Sequence, residues 1–169
     1  MMLRIRPETA EDADAIRDVN LAAFPTAQEA NLVEALRRES AAEISLVAAE
    51  SGTVIGHVML SRMAVEGDGR LYRALGLAPV AVTPDRHGQG IGAALIEEAL
   101  RRAQERGEEI AFLLGEPDYY RRFGFTAQAA APFASPYAGK YFQAKLLDDD
   151  LEPPSSGRAD YAPAFAGLE

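Results

Sequence analysis

Apolar and polar positions change period several times along this chain, and each change marks a predicted element. "LRIR" (3–6) reads as a short opening strand. Ile16, Val19 and Phe24 then recur at helical spacing; Thr9 is the predicted N-cap with Asp12 three positions on, and Pro25 ends the run. Residues 26–40 form a second predicted helix with Leu32, Val33 and Leu36 on its buried side. Two β-rich runs over 43–66 flank Ser51 and Gly52, the signature of a hairpin. "GDGR" (67–70) is another turn, and 71–84 is a long strand-like run ending at Pro84.

A helical stripe follows. Ile91, Leu95, Ile96, Ala99, Leu100 and Ala103 share one side of a helix that runs to about Arg106 and stops at Gly107. Glu97–Arg101 and Glu98–Arg102 stand at i,i+4, the spacing at which such pairs support a helix. "EIAFLLG" (109–115) has no polar alternation, as expected of a strand covered on both faces. "EPDYYRRFG" reads as a short helix, with Pro117 in its first turn and Gly124 just past its end. Further strands are expected in 140–147 and near 158–162, separated by the turn-rich "DDDLEPPSSG". With no repeat and no break in composition, the expectation is one domain over residues 1–169. Its class is α/β (α+β), helices packed around one sheet.

Composition narrows the function. The net charge of −9 argues against a nucleic-acid binder, which would carry a basic face. There is no cysteine, hence no disulfide, no thiolate metal site and no cysteine nucleophile. No metal is expected. "MMLRIRPETAEDAD" has no apolar run of signal-peptide length, and no later segment is long enough to span a membrane. A cytoplasmic protein, monomeric or homodimeric, is expected.

One stretch breaks the helical rule. "DRHGQGIGAAL" (85–95) places Gly88, Gly90 and Gly92 where a helix is about to start, although a helical glycine costs roughly 1 kcal/mol against alanine. Either a tight turn needs positive φ, or an anion approaches bare amides at the helix N-terminus. A Walker-type loop needs Lys-Ser/Thr after its last glycine, and Ala93 and Ala94 stand there instead. A dinucleotide fingerprint sets its first glycine almost on the strand's end, whereas here "TPDRH" intervenes and half the chain has passed.

"VAVTPDRHGQGIGAAL" resembles the pyrophosphate loop of the GNAT superfamily of N-acetyltransferases, which runs Gln or Arg, two residues, Gly, one residue, then Gly or Ala. "IRPETAEDADAI", "IGHVMLS", "GLAPVAV" and "LLGEPDYYRRFGF" extend the likeness from Leu3 to the last strand, most closely to the bacterial YhbS-like branch. His87 stands where the family usually has Gln or Arg, which loses the guanidinium fork; Arg86 is next door. The resemblance implies a mixed, mostly antiparallel central sheet flanked by helices on both faces. It also implies acetyl-CoA as cosubstrate and an amine, on a small molecule or a protein, as acceptor.

The resemblance further implies a site. The pyrophosphate would lie against the run His87, Gly88, Gln89, Gly90, Ile91, Gly92 and Ala93, with the pantetheine along Val80, Ala81 and Val82. Pro79 cannot donate to a ladder, so it marks a bulge or an edge where strands part. The Val80 amide is the candidate oxyanion donor. A family tyrosine four residues before Gly124-Phe125 selects Tyr120 as general acid, leaving Tyr119 to line the cofactor or to pack. For the base, His57 has the suitable reference pKa; the alternatives are Glu29, near the turn that borders the acceptor groove in this family, and ordered water. Without cysteine, direct transfer in a ternary complex is the expected mechanism. The alternative is a non-catalytic acyl-CoA-binding module using the same cleft.

Overall fold

The computed structural model describes residues 2–167. Strand β1 (Leu3–Pro7) leads through a 3-10 turn (Ala10–Asp12) into helix α1 (Ala13–Ala23). The turn predicted at Thr9 forms: the Asp12 carboxylate accepts from the Thr9 amide at 2.7 Å and binds Arg6 at 2.7 and 3.0 Å. Phe24 is extended ahead of Pro25, which separates α1 from α2 (Gln28–Arg38).

Strands β2 (Ala42–Glu50), β3 (Thr53–Gly67) and β4 (Arg70–Val82) form the antiparallel centre of the sheet. They are joined at left-handed turn residues, Ser51 and Gly52 in one turn and Asp68 and Gly69 in the other. A 3-10 turn (Pro84–Arg86) and helix α3 (Ile91–Glu105) cross over to β5 (Ile110–Leu114), which runs parallel to β4. The short helices α4 (Pro117–Tyr120) and α5 (Ala127–Ala130) follow, and then β6 (Phe133–Ala134), β7 (Phe142–Leu146) and β8 (Gly157–Asp160).

The sheet order is β1-β2-β3-β4-β5-β7, with β8 beside β3 past the end of β2 and β6 beside β8. Helix α3 buries its predicted stripe on one face, with Leu95 packed among Leu46, Val58, Leu60 and Leu75. Helices α1 and α2 cover the other face through Ile16, Leu32, Val33 and Leu36 against Val47 and Met59. Each fully buried side chain of this kind contributes roughly 1.5–3 kcal/mol. One predicted surface pair does not form. Arg101 binds Glu98 and Glu105, each at 2.6 Å, rather than Glu97, whereas Glu98–Arg102 forms at 2.7 Å.

What positions the site is the divergence of β4 from β5. The two pair only over Ala74–Gly76 against Ile110–Phe112. Past Gly76, β4 continues to Val82 along β3, with no strand of the described residues on its other edge. A register shift falls at the same place. Val58 faces Val80 and Leu60 faces Leu77, so Ala78 and Pro79 are squeezed opposite one residue of β3. The peptide between them is cis. A proline has no amide to give to either neighbour, and here it stands where pairing with β5 has stopped.

Candidate active site

Backbone direction alternates along a strand, and one bond fixes its phase on β4. The Thr83 amide donates to the Ile55 carbonyl at 2.9 Å, so Thr83 and Ala81 turn their amides toward β3. Val80 and Val82 therefore present N–H and C=O to the open edge. His87 agrees: its Nε2 donates to the Val82 carbonyl at 2.8 Å from that side. Beside this edge lies the start of α3. Its N-cap is Gly90, in the left-handed region at φ 78°, and no side chain caps it among the described residues. The first intrahelical acceptor is used only by Ala94, which bonds to the Gly90 carbonyl at 3.0 Å, leaving the amides of Ile91, Gly92 and Ala93 without helical partners.

Both explanations of the glycine stretch hold, at different residues. Gly88 and Gly90 have positive φ and open space around them, so the turn requires them and the backbone stays bare. Gly92 is helical; a Cβ there would stand 3.7 Å from Val82 and 4.0 Å from Val80, inside the gap between α3 and β4. That gap is a groove of about 530 Å3, lined by Val80, Val82, His87, Gly88, Gly90, Ile91, Gly92, Ala93, Tyr119 and Arg122 among others. Two predicted residues are absent from its lining. Ala81 is buried with its backbone toward β3, and Gln89 points into solvent. Arg86 reaches the groove, tied to Glu50 at 2.5 Å.

A second cavity of about 390 Å3 opens on the other side of Val80. It is lined by Glu29 and Leu32 of α2, by Leu77, Ala78, Pro79 and Val80 of β4, and by Leu114. Five rings complete it: Phe24, Tyr120, Tyr137, Tyr161 and Phe165. Val80 and Phe24 line both cavities, so the two meet there. The adjacent tyrosines part company. Tyr119 faces the glycine groove under the Arg122 guanidinium, 4.3 Å from its ring centre. Tyr120 faces the second cavity, its ring lying against Gly115, where a Cβ would come within 2.3 Å. Burial, with a smaller contribution from Tyr119, pushes the Tyr120 hydroxyl's pKa above its ordinary value.

These features agree with known proteins. Residues 4–127 match the family model of the acetyltransferase (GNAT) domain. The chain belongs to the GNAT acetyltransferase family. The uncharacterized N-acetyltransferase YhbS of Escherichia coli K12 is 34% identical over 164 residues, covering 95% of this chain and 97% of that one. YjhQ, an uncharacterized N-acetyltransferase of the same strain, is 35% identical over 116 residues; the match spans 68% of this chain and 64% of YjhQ. A crystal structure of E. coli YhbS in complex with CoA superposes with a TM-score of 0.89 at 32% identity, over 99% of this chain and 93% of that one. A GNAT family acetyltransferase from Brucella melitensis in complex with acetyl-CoA gives 0.80 at 36% identity, over 97% and 98%. As a GNAT enzyme the chain is an acyltransferase, and its fold is the mixed, mostly antiparallel sheet that the resemblance implied.

Within this GNAT fold the two candidate bases have different surroundings. His57 is fully buried on the α1/α2 face of β3, the face opposite Val58, and lines neither cavity. Its Nδ1 accepts from the Asn20 side-chain amide at 3.2 Å, which leaves Nε2 to donate to the Ser45 hydroxyl at 2.9 Å. Burial, and secondarily the Arg37 charge, push its pKa down to about 3. An imidazole sealed and satisfied in this way does not reach an acceptor. Glu29 does line the second cavity, and its Oε1 is buried with no hydrogen-bond partner among the described residues.

Sequence reasoning missed Phe24, Arg122, Tyr137, Tyr161 and Phe165. Arg122 was findable, since it lies within the same "YYRRFGF" stretch as Tyr119 and carries a positive charge. The four aromatics carried no local signal. The strand expected near 158–162 would include Tyr161, but β8 stops at Asp160, which frees its ring to lie over Gly76 and close the cavity.

Proposed function

We propose that this enzyme transfers the acetyl group of acetyl-CoA to a primary amine by direct attack with both substrates bound. The observation that carries the reading is the meeting of the two cavities at Val80: a thioester reaching along β4 from the glycine groove ends where the acceptor cavity begins. The groove suits the cosubstrate. Uncapped amides at the start of α3 favour a pyrophosphate, Val80 and Val82 offer an unpaired strand edge to the pantetheine amides, and Gly92 leaves the gap open. Arg122 adds a cation at its wall. Acetyl-CoA supplies an activated acyl carbon with a thiolate leaving group.

The residues divide the remaining work. The Val80 amide faces the open edge and donates to the carbonyl oxygen as negative charge develops on it, a contribution typically of several kcal/mol. Glu29 receives the acceptor's ammonium and takes its proton, so that a neutral nitrogen attacks. The C–N bond forms, the C–S bond breaks, and the electron pair leaves on sulfur. Tyr120 donates a hydrogen bond to that sulfur. An ordinary thiol has a pKa of about 8.5 and an ordinary phenol about 10, and burial pushes Tyr120 higher still. Complete transfer from phenol to thiolate is thus uphill, so Tyr120 acts by hydrogen bonding to the developing charge. Of the two protons the nitrogen loses on its way from ammonium to amide, one supplies the final S–H and the other leaves to water.

The test has two parts. Saturating acetyl-CoA at about 100 times Kd adds roughly 2.7 kcal/mol of stability, a Tm rise of about 5–10 °C for a chain of this size, whereas NAD(P) adds none. An amine panel then reads CoA thiol release. A flat melting curve, or binding without release for any amine, defeats the reading.

A further inference from the structure

We infer that the natural acceptor is a small lipophilic amine with a single positive charge, of the arylalkylamine type, anchored by Glu29 within the aromatic cavity. The inference rests on the acetyl-transfer reading and concerns only the pocket beyond Val80.

Charge comes first. Glu29 is the carboxylate among the cavity's lining residues, and its Oε1 is buried with no partner among the described residues. A buried carboxylate oxygen without a partner is costly, and an N–H donor from a ligand removes that cost. A primary ammonium has three to give. One carboxylate calls for one cation. A second ammonium, as on a polyamine, would be drawn out of water beside Leu32, Leu77 and Leu114 with no anion to meet it.

The walls come second. Phe24, Tyr120, Tyr137, Tyr161 and Phe165 are five rings around about 390 Å3, near the small end of the roughly 300–1,000 Å3 usual for ligand pockets. Tyr161 is held in place by edge contacts to Tyr137 at 5.6 Å and by Phe165 at 4.8 Å. Such walls favour an ammonium through their ring faces and an aryl or alkyl body through its buried area. A peptide acceptor would bring backbone amides that these walls leave unpaired. The Tyr161 hydroxyl, on another residue of the wall, is likewise buried without a partner among the described residues.

The experiment compares 2-phenylethylamine and tyramine with spermidine and a lysine-bearing octapeptide, by CoA release at saturating acetyl-CoA. The arylalkylamines are expected to exceed both others in kcat/KM by about tenfold or more. Glu29→Gln keeps the shape and removes the charge. It is expected to lower kcat, as loss of the proposed base requires, and to raise KM for 2-phenylethylamine by about 10–100-fold, the size of a lost charge-assisted hydrogen bond, with a Tm within about 2 °C of wild type. Preference for spermidine or the peptide overturns this inference and leaves acetyl transfer standing. A Glu29→Gln enzyme with unchanged KM overturns the anchoring. Release with none of the four amines, although acetyl-CoA binds, overturns this inference, and release with another amine of the panel then leaves acetyl transfer standing.

Discussion

On one side of Val80 the protein offers backbone, and on the other it offers side chains. The glycine groove is built chiefly from the backbone of Gly88 and of Gly90 to Ala93 beside the bare edge of one strand, with Tyr119 and Arg122 at its wall. The aromatic cavity is built from the residue that ends α1, from α2, β4, the end of β5, α4, the β6–β7 connection and the segment after β8, each giving one or a few side chains. On the proposed function, the difference follows from what each must hold. A pyrophosphate is the same anion every time, and N–H groups at a helix start serve it without any particular side chain. An acceptor is distinguished by shape and charge, and those belong to side chains. Substitutions in the groove should therefore act by blocking or straining backbone, and substitutions in the cavity by removing chemistry.

The largest expected effect tests the line between the two regions at the adjacent tyrosines. Tyr120→Phe removes one hydroxyl from the aromatic cavity and little packing, and kcat is expected to fall by about 10²–10³-fold, the effect of losing one donor aimed at developing charge. Acetyl-CoA affinity should barely move, because the sulfur gains charge only on leaving. Tyr119→Phe, on the groove side, should leave kcat within a few-fold. Single-turnover rates and isothermal binding keep product release from hiding the loss. Equal rates for wild type and Tyr120→Phe would erase the proposed division of labour.

The two regions also differ in how far the sequence announced them. The groove was legible because its residues are contiguous and their oddity, glycine at a helix start, is local. Contiguity also misled, since it swept in Ala81 and Gln89. A strand has period two, so only alternate residues of 80–82 can face one edge, and Ala81 faces β3. The cavity was legible only at Glu29 and Tyr120. Phe24, Tyr137, Tyr161 and Phe165 read as ordinary core aromatics until the chain's end folds back over β4. His57 looked like chemistry in isolation, but period two puts it with Met59 on the α1/α2 face and away from Val58.

The second prediction concerns that imidazole, which marks the boundary between core and cavity. The folded chain holds His57 neutral, with a pKa of about 3, whereas the unfolded chain protonates it near 6.5. A depressed basic group contributes its full stability above about pH 6.5 and loses it as pH falls toward 3. One differential proton changes stability by about 1.4 kcal/mol per pH unit, so roughly 2–3 kcal/mol should disappear between pH 6.5 and 4.5. Arg6 holds the Asp12 carboxyl well below the usual carboxylate range, so its share is lost only as pH falls below about 4. Urea titrations at several pH values measure the slope. His57→Gln should flatten it while leaving the pH profile of kcat unchanged. A kcat profile that shifts with this substitution would return His57 to the catalytic site.

A third, smaller effect separates blocking from strain inside the groove. Gly90→Val would mix the two, because Gly90 has positive φ. Gly92→Ala does not. Its methyl would stand 3.7 Å from Val82, an ordinary contact in the free protein, and a helical Gly→Ala change adds about 0.5–1 kcal/mol of stability. The same methyl projects into the gap that the pantetheine needs, and overpacking of this kind costs about 1–3 kcal/mol. The expected result is a Tm equal to or above wild type with acetyl-CoA affinity weaker by about tenfold. Unweakened binding would show that the cosubstrate does not pass between α3 and β4.

The smallest effect is expected at His87, and it asks whether the groove is made of backbone after all. The family usually places Gln or Arg here, which invites a phosphate-binding role for the imidazole. Its Nε2 instead donates to the Val82 carbonyl at 2.8 Å, on the strand edge proposed for the pantetheine. A carbonyl has two lone pairs, so the ring and a pantetheine amide can share it, and neither gains much from removal of the other. If the amides of residues 91–93 carry the pyrophosphate, His87→Ala should change the Kd of acetyl-CoA by no more than about threefold, within the range of one neutral hydrogen bond. Isothermal titration at two salt concentrations measures this. The salt dependence should match wild type, since no phosphate-bound cation is lost. A tenfold weakening would mean that the ring leaves Val82 and reaches the phosphate. The groove would then depend on a side chain, as the cavity does.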